Sequence, residues 1–223
     1  MHRMCLRFNS LLVILAVSLG AMVKAEAAEQ TPGDRKVQIV AKGMQSEGCA
    51  QSISGQLYAA RGVKTVEVDL DTQIVSVSLA PKKSATLGQL WKAVEQNEGG
   101  PTKLVTTEAT YTLTPIEVQS RPGQPPQKLS SALYIVVDNL HCMGCAKKIS
   151  AQLYTLKGVT NVRADLKKDT ITVEARPGTL VSPWQAIAAV AKAKERPLAV
   201  TGAHGTVSIE WSTKRAPKVH KKT

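Results

Sequence analysis

Cys49-Ala50-Gln51-Ser52-Ile53-Ser54-Gly55-Gln56-Leu57-Tyr58 is echoed 96 residues later by Cys145-Ala146-Lys147-Lys148-Ile149-Ser150-Ala151-Gln152-Leu153-Tyr154. The correspondence runs on through Gly62-Val63 and Gly158-Val159, Val66 and Val162, and Asp69-Leu70 and Asp165-Leu166. Over 49–70 against 145–166, 12 of 22 aligned residues are identical, which chance does not produce. The chain therefore holds two copies of one domain.

Each copy carries the same order of elements. Lys36 to Ala41 and Ala132 to Val137 read as strands. A helix follows, with apolar residues at Ile53, Leu57 and Ala60, or at Ile149, Leu153 and Leu156. That i, i+4, i+7 spacing makes one buried stripe. Gly62 and Gly158 are expected to cap these helices at their C-termini. Two short strands come next, Val63 to Leu70 with Ile74 to Leu79, and Val159 to Leu166 with Thr170 to Ala175. Their turns contain Asp71-Thr72 and Lys167-Lys168. A second helix is expected over Ser84 to Asn97 and over Ser182 to Lys194, the latter with Pro183 in its first turn. A last strand covers Thr102 to Leu113, or Leu198 to Trp211. Strand, helix, strand, strand, helix, strand is the order of an α+β ferredoxin-like sandwich, an antiparallel sheet with two helices on one face. The reading is thus two tandem βαββαβ sandwiches, at 34–114 and 131–212, joined by a Pro-rich linker at 115–130.

The chemistry concentrates in Asn139-Leu140-His141-Cys142-Met143-Gly144-Cys145 of the second copy. Cys142 falls in the loop after a strand and Cys145 in the first turn of a helix, so both thiols can point at one small volume. Unpaired N–H groups at a helix N-terminus, with Lys147 and Lys148 one turn on, favour thiolate over thiol. Two thiolates suit a soft ion, Cu(I) or Hg(II). Zn(II) would want four ligands, and His141 is the one obvious third nearby; an ordinary solvated loop histidine is the reading favoured for it. Copy one has Ser46 where Cys142 stands in copy two, and Gln51 and Ser52 for the two lysines. Ser46 can cap its helix and Glu47 complements the dipole, so copy one reads as a scaffold or docking domain. Cys49 is then a small buried or half-buried residue; weak ligation with Met44, or a meeting with Cys142 and Cys145 across the linker, is the sharper alternative.

These residues resemble the heavy-metal-associated domain family, the module of copper chaperones, copper-pump N-termini and the periplasmic mercury-binding protein. Its pattern is Gly-Met-x-Cys-x-x-Cys, an Ala-rich helix start and a later Gly-Val. Copy two supplies Cys142, Cys145, Ala146, Gly158 and Val159, with Asn139 and Leu140 in place of Gly-Met. Copy one supplies Gly43, Met44, Cys49, Ala50, Gly62 and Val63, with Ser46 at the first cysteine. Many members carry Tyr, Phe or Lys before the last strand; this chain reads Glu195-Arg196-Pro197-Leu198 there, with no equivalent assignable. The resemblance implies a Cu(I) or other soft metal ion held by Cys142 and Cys145.

The ends bound the setting. Arg3 and Arg7, the apolar run Leu11 to Leu19, and small residues at Val23-Lys24-Ala25 and Ala25-Glu26-Ala27 read as a signal peptide over 1–25, with an uncleaved anchor as the alternative. A periplasmic or secreted, oxidising location follows, and cleavage leaves three cysteines, too few and too odd for a disulfide scaffold. The formal charge of +12 is uneven: 34–114 carries +1, 130–212 carries +4, and the basic tail 213–223 carries +5. No aromatic interleaving or DNA-binding motif accompanies it, so no nucleic acid partner is expected. An acidic protein partner, such as a metal transporter domain, fits the basic face better. Trp91, Trp184, Tyr58 and Tyr154 read as packing residues. No catalytic constellation stands out, and three functions remain open: a metal carrier or buffer, a thiol–disulfide oxidoreductase, and an interaction module with a permanent Cys142–Cys145 bridge.

Overall fold

A computed structural model describes residues 35–82, 84–115, 132–203 and 205–213. The expected signal peptide, most of the Pro-rich linker and the basic tail lie outside the described residues.

Copy one comprises β1 (Arg35–Ala41), α1 (Glu47–Ala59), β2 (Val63–Asp69), β3 (Ile74–Leu79), α2 (Leu87–Glu95), β4 (Pro101–Thr106) and β5 (Ala109–Thr114). Copy two comprises β6 (Ala132–Val137), α3 (Met143–Tyr154), β7 (Val159–Asp165), β8 (Thr170–Ala175), α4 (Pro183–Lys192), β9 (Pro197–Gly202) and β10 (Gly205–Trp211). The βαββαβ order is present in both, and the pairing registers repeat at the 96-residue offset. Val37↔Val77 of β1 and β3 recurs as Leu133↔Val173 of β6 and β8. Even the bulges recur, between Val63 and Thr65 and between Val159 and Asn161. One-sided burial explains the alternation. In β3, Val75, Val77 and Leu79 are buried against the helices while Ile74, Ser76 and Ser78 are half-exposed on the other face. Ile53 and Leu57 of α1, and Ile149 and Leu153 of α3, fill the matching stripes.

The last strand of each copy is where the sequence reading fails. Thr102–Leu113 and Leu198–Trp211 are each a hairpin, β4–β5 and β9–β10. The Thr106 hydroxyl accepts from the amides of Glu108 and Ala109 and donates to the Ala109 carbonyl, making a turn from a side chain that otherwise reads as strand. Gly205, at φ 133°, serves the second hairpin. The extra strands β5 and β10 pair with each other, so the copies are not beads on a linker. They share one ten-stranded sheet, in the order β2-β3-β1-β4-β5-β10-β9-β6-β8-β7.

Thr112 pairs with Ser208, its own counterpart at the 96-residue offset. A pseudo-two-fold axis therefore passes between them, and equivalent positions near it must face each other. Gly88 and Trp184 are such a pair, and a Cβ on Gly88 would lie 2.7 Å from the Trp184 Cβ. One copy must be small there because the other is large. Trp184 then stacks on Trp91 at 4.7 Å between ring centroids and on Tyr111 at 5.6 Å, joining α2 to α4. The tryptophans are packing residues, but the packing they provide is between copies.

Two smaller corrections follow. The Gly at 62 and 158 sits one turn past the helix, at φ 77° and 91°, in the turns closed by Val63 N–H to Ala60 O and Val159 N–H to Leu156 O. Tyr58 and Tyr154 are about half exposed; their hydroxyls accept from the amides of Val66 and Val162 on the edge strands β2 and β7. They satisfy sheet edges rather than fill cores.

Gly88→Val should force α2 away from α4 and lower stability by about 1–3 kcal/mol, read by denaturant unfolding and by altered tryptophan fluorescence. Burial, with the Glu108 carboxylate nearby, raises the Tyr111 phenol above its ordinary 10.0. The folded state then keeps a proton that the unfolded chain releases, so this stability is present below pH 10 and lost above it. Unfolding measured at rising alkaline pH should show a shallower decline in Tyr111→Phe than in the parent.

Candidate metal centre

Cys142 is the N-cap of α3, and its Sγ accepts from the Cys145 backbone N–H at 3.0 Å. The chain folds this way because Cys142 is extended, at φ −134° and ψ 143°, while Met143 begins the helix. Cys145, in the first turn, then returns to the same point, with a Cα–Cα distance of 5.4 Å, and the two sulfurs are paired as a disulfide. Both residues are half-buried and Cys145 packs against the core, while Met143 between them is 60% exposed. The pair is thus backed by apolar side chains and open to solvent in front. Lys147 and Lys148 are exposed one turn along.

The loop beneath is braced twice. Asp138 N–H donates to Arg196 O at 2.8 Å, and Leu140 N–H donates to the Asp169 carboxylate at 2.8 Å. Leu140, at 1% exposure, plugs the core below the thiols, where copy one uses Met44. His141 turns back on its own loop, its Nδ1 2.8 Å from Asn139 O. Among the described residues, no group of three or more His, Cys, Asp or Glu side chains gathers as a ligand set. A two-sulfur site therefore suits an ion content with few ligands.

Copy one reproduces the cap with oxygen. Ser46 Oγ accepts from Cys49 N–H at 3.3 Å, the counterpart of the Cys142–Cys145 contact. Cys49 is half-buried and its thiol donates to Asn97 O at 3.4 Å. It cannot meet Cys142 or Cys145 in the same chain. β1 and β6 run antiparallel, so their loops leave opposite ends of the sheet. Those strands are also five ladder steps apart, about 24 Å at ordinary strand spacing.

Asp169, which the sequence reading passed over, braces the second loop. In copy one, Gly43 N–H reaches Gly99 O at 2.9 Å, a close approach that a Cβ on Gly43 would block. Glu195 stands at the Gly99 position in copy two and is the one buried charged side chain among the described residues. There the loop takes another path, with Asn139 at φ 61° and Asp169 holding Leu140. Only the 96-residue alignment, carried past residue 166, could have flagged the Gly99–Glu195 exchange.

Comparison with known proteins gives the family of the chain. The model of the family described as "Heavy-metal-associated domain" matches residues 39–100 and 135–195. The chain belongs to the heavy-metal-associated domain family, a family of metal-binding modules rather than catalytic ones. Among curated proteins it is similar to copper-transporting ATPase 1 of Rattus norvegicus, 24% identical over 186 residues, covering 76% of this chain. It spans only 12% of that ATPase's length. Among solved structures it is similar to the water-soluble region of the P-type ATPase CopA from Bacillus subtilis, at 20% identity and TM-score 0.32, covering 75% of this chain and 92% of that one. A yeast copper transporter domain, solved in apo and Cu(I)-loaded states, matches at 21% identity and TM-score 0.27, over 30% of this chain and 89% of its own.

Since serine already fills the cap in copy one, Cys142→Ser should leave the reduced protein as stable as the parent. Cys142→Ala, which removes the acceptor, should cost about 1 kcal/mol in urea unfolding under reductant.

Proposed function

We propose that this chain is an exported carrier or buffer of a soft metal ion, Cu(I) first, held by Cys142 and Cys145. The observation that carries the reading is the pair of half-exposed sulfurs brought together at the N-terminus of α3. The exposed helix amides and the nearby lysines favour the dithiolate that such an ion requires. With little protein in front, an incoming thiolate of a partner site can add to the ion before one of the two cysteines leaves. Transfer then proceeds by ligand exchange, without a free ion in solution. Membership of a metal-binding family and the copper-transporting relative support the choice of ion. The basic surface around α3 suits an acidic partner, such as a metal transporter domain. The N-terminal charge and apolar pattern supports export to a periplasmic or secreted location.

The disulfide favours a second reading, in which Cys142 and Cys145 are a redox pair. The bridged form has no thiolate to offer, so a reductant must supply two electrons, giving the two thiolates, before an ion can load. Against an oxidoreductase stands the βαββαβ order of both copies.

Reduced protein titrated with Cu(I) against a competing chelator should bind one tight equivalent. Cys142→Ser and Cys145→Ser should each lose it, Cys49→Ser should keep it, and oxidised protein should show none until reductant is added. Ser46→Cys should gain a second, independent equivalent, because only one atom of the copy-one cap then differs from the parent. Retention of the tight equivalent in both Cys142→Ser and Cys145→Ser would refute the assignment.

A further inference from the structure

The two outer edges of the plate carry opposite charge, although they are the same face of the same domain. α1 packs on β2 at one edge and α3 on β7 at the other, nine ladder steps away. Between equivalent positions of these faces, Glu47 becomes Met143, Gln51 becomes Lys147, Ser52 becomes Lys148, Asp71 becomes Lys167 and Thr72 becomes Lys168. These five exchanges move in the positive direction, as does Glu67 to Arg163, whereas Lys42 to Asp138 and Lys64 to Thr160 move the other way. Near the site end of the first edge, Glu47, Asp69 and Asp71 are exposed with Lys42 the nearby cation, while Arg61 and Lys64 lie toward the far end of β2. On the second edge, Lys147, Lys148, Lys167 and Lys168 are exposed, with Asp165 among them.

Shape follows charge. The acidic edge holds a groove of about 380 Å³ between α1 and β2, lined by Glu47, Ala50, Gln51, Ser54, Val68 and Leu70. Its floor is apolar and Leu70 is 36% exposed. The basic edge holds the opposite feature, Met143, a flexible apolar side chain 60% exposed at the start of α3 with Lys147 one turn behind. An exposed apolar knob with Lys147 one turn behind it and an apolar groove with Glu47 in its lining lie at opposite edges of one sheet. They cannot meet within one molecule.

We infer that two copies of this chain dock head to tail, the α3/β7 edge of one on the α1/β2 edge of the next, with Met143 entering the groove. The contact is heterologous, so each docked pair still offers one free edge of either sign. Because the attraction is between exposed charges, association is weak and salt-sensitive. Docking uses the helix that carries Cys142 and Cys145, and its test is read on metal-free protein, so its outcome is distinguishable from that of the carrier reading.

Sedimentation velocity of the full chain, under reductant so that no Cys49 bridge links copies, tests it. Wild type should show a rising weight-average mass with concentration at about 20 mM salt and fall to monomer at about 500 mM. Replacing Lys147, Lys148, Lys167 and Lys168 together by Glu makes both edges acidic at their site ends, and Glu47→Lys/Asp71→Lys makes both edges basic. Each variant alone should remain monomeric at low salt, Met143→Asp should weaken association of the parent, and an equimolar mixture of the two charge variants should associate again. That restored association also certifies that both variants are folded. A wild type that stays monomeric at low salt, a charge variant that still self-associates, or a mixture that does not would each overturn the proposal.

Discussion

The antiparallel pairing of β5 with β10 is the constraint on which the arrangement of this molecule depends. It adds one ladder of backbone hydrogen bonds, and with it removes a vulnerable edge from each half. The same ladder fixes the direction of everything else. Because Thr112 faces Ser208, the halves are related by a two-fold operation, their helices share one face of the sheet, and their cysteine loops open at opposite ends. An axis of this kind makes demands on residues close to it, since a position meets its own counterpart. The Gly88–Trp184 contact meets that demand by asymmetry: where one copy carries a tryptophan, the other has no room for a Cβ. Sequence asymmetry between the repeats is here a packing requirement.

The same comparison separates what the thiol loop needs for folding from what it needs for chemistry. Folding needs an acceptor atom at the start of the helix, and Ser46 Oγ and Cys142 Sγ serve alike. It needs an apolar plug beneath, and Met44 and Leu140 both supply one. Chemistry needs two sulfurs, and only the second copy has them. The brace under the loop differs as well. Gly43 and Gly99 permit a backbone approach in copy one, whereas the second copy replaces it with a carboxylate contact from Asp169 and places Glu195 beside the loop. Both loops keep one main-chain bond to the residue before the strand that follows the second helix, from Lys42 N–H to Gly100 O and from Asp138 N–H to Arg196 O; the second loop adds the Asp169 carboxylate where the first adds Gly43 N–H to Gly99 O. Serine for cysteine keeps the scaffold and discards the ligand, which is why a degenerate copy can persist as a folded partner.

Much of this was legible without coordinates. The helix stripes at Ile53 and Leu57, or Ile149 and Leu153, follow from periodicity, and the short strands follow from alternation, because each element buries one side. In copy two Gly202 and Gly205 marked the turn and were passed over, whereas the fifth strand of copy one was missed for a local reason. Thr106-Thr107-Glu108 has no glycine or proline, and its turn is made by one threonine hydroxyl. Tyr58 and Tyr154 were misread because repetition looks like core packing, while the recurring requirement was an edge amide on β2 or β7 in need of an acceptor. Asp169 and Glu195 lie 24 or more residues from Cys145, and nothing in their immediate sequence marks them as neighbours of the thiol loop.

By itself the sequence determined the doubling of the domain, the order of its first six elements and the presence of a Cys-x-x-Cys pair at a helix start in one copy alone, because these are properties of near neighbours along the chain: spacing, alternation and a cap. Tertiary structure alone decided that the halves form one plate, that Cys49 lies beyond reach of Cys142 and Cys145, and that edges of opposite charge face apart. Those outcomes rest on strand direction and on contacts between residues about 95 positions apart, which arise only when two sheet edges meet.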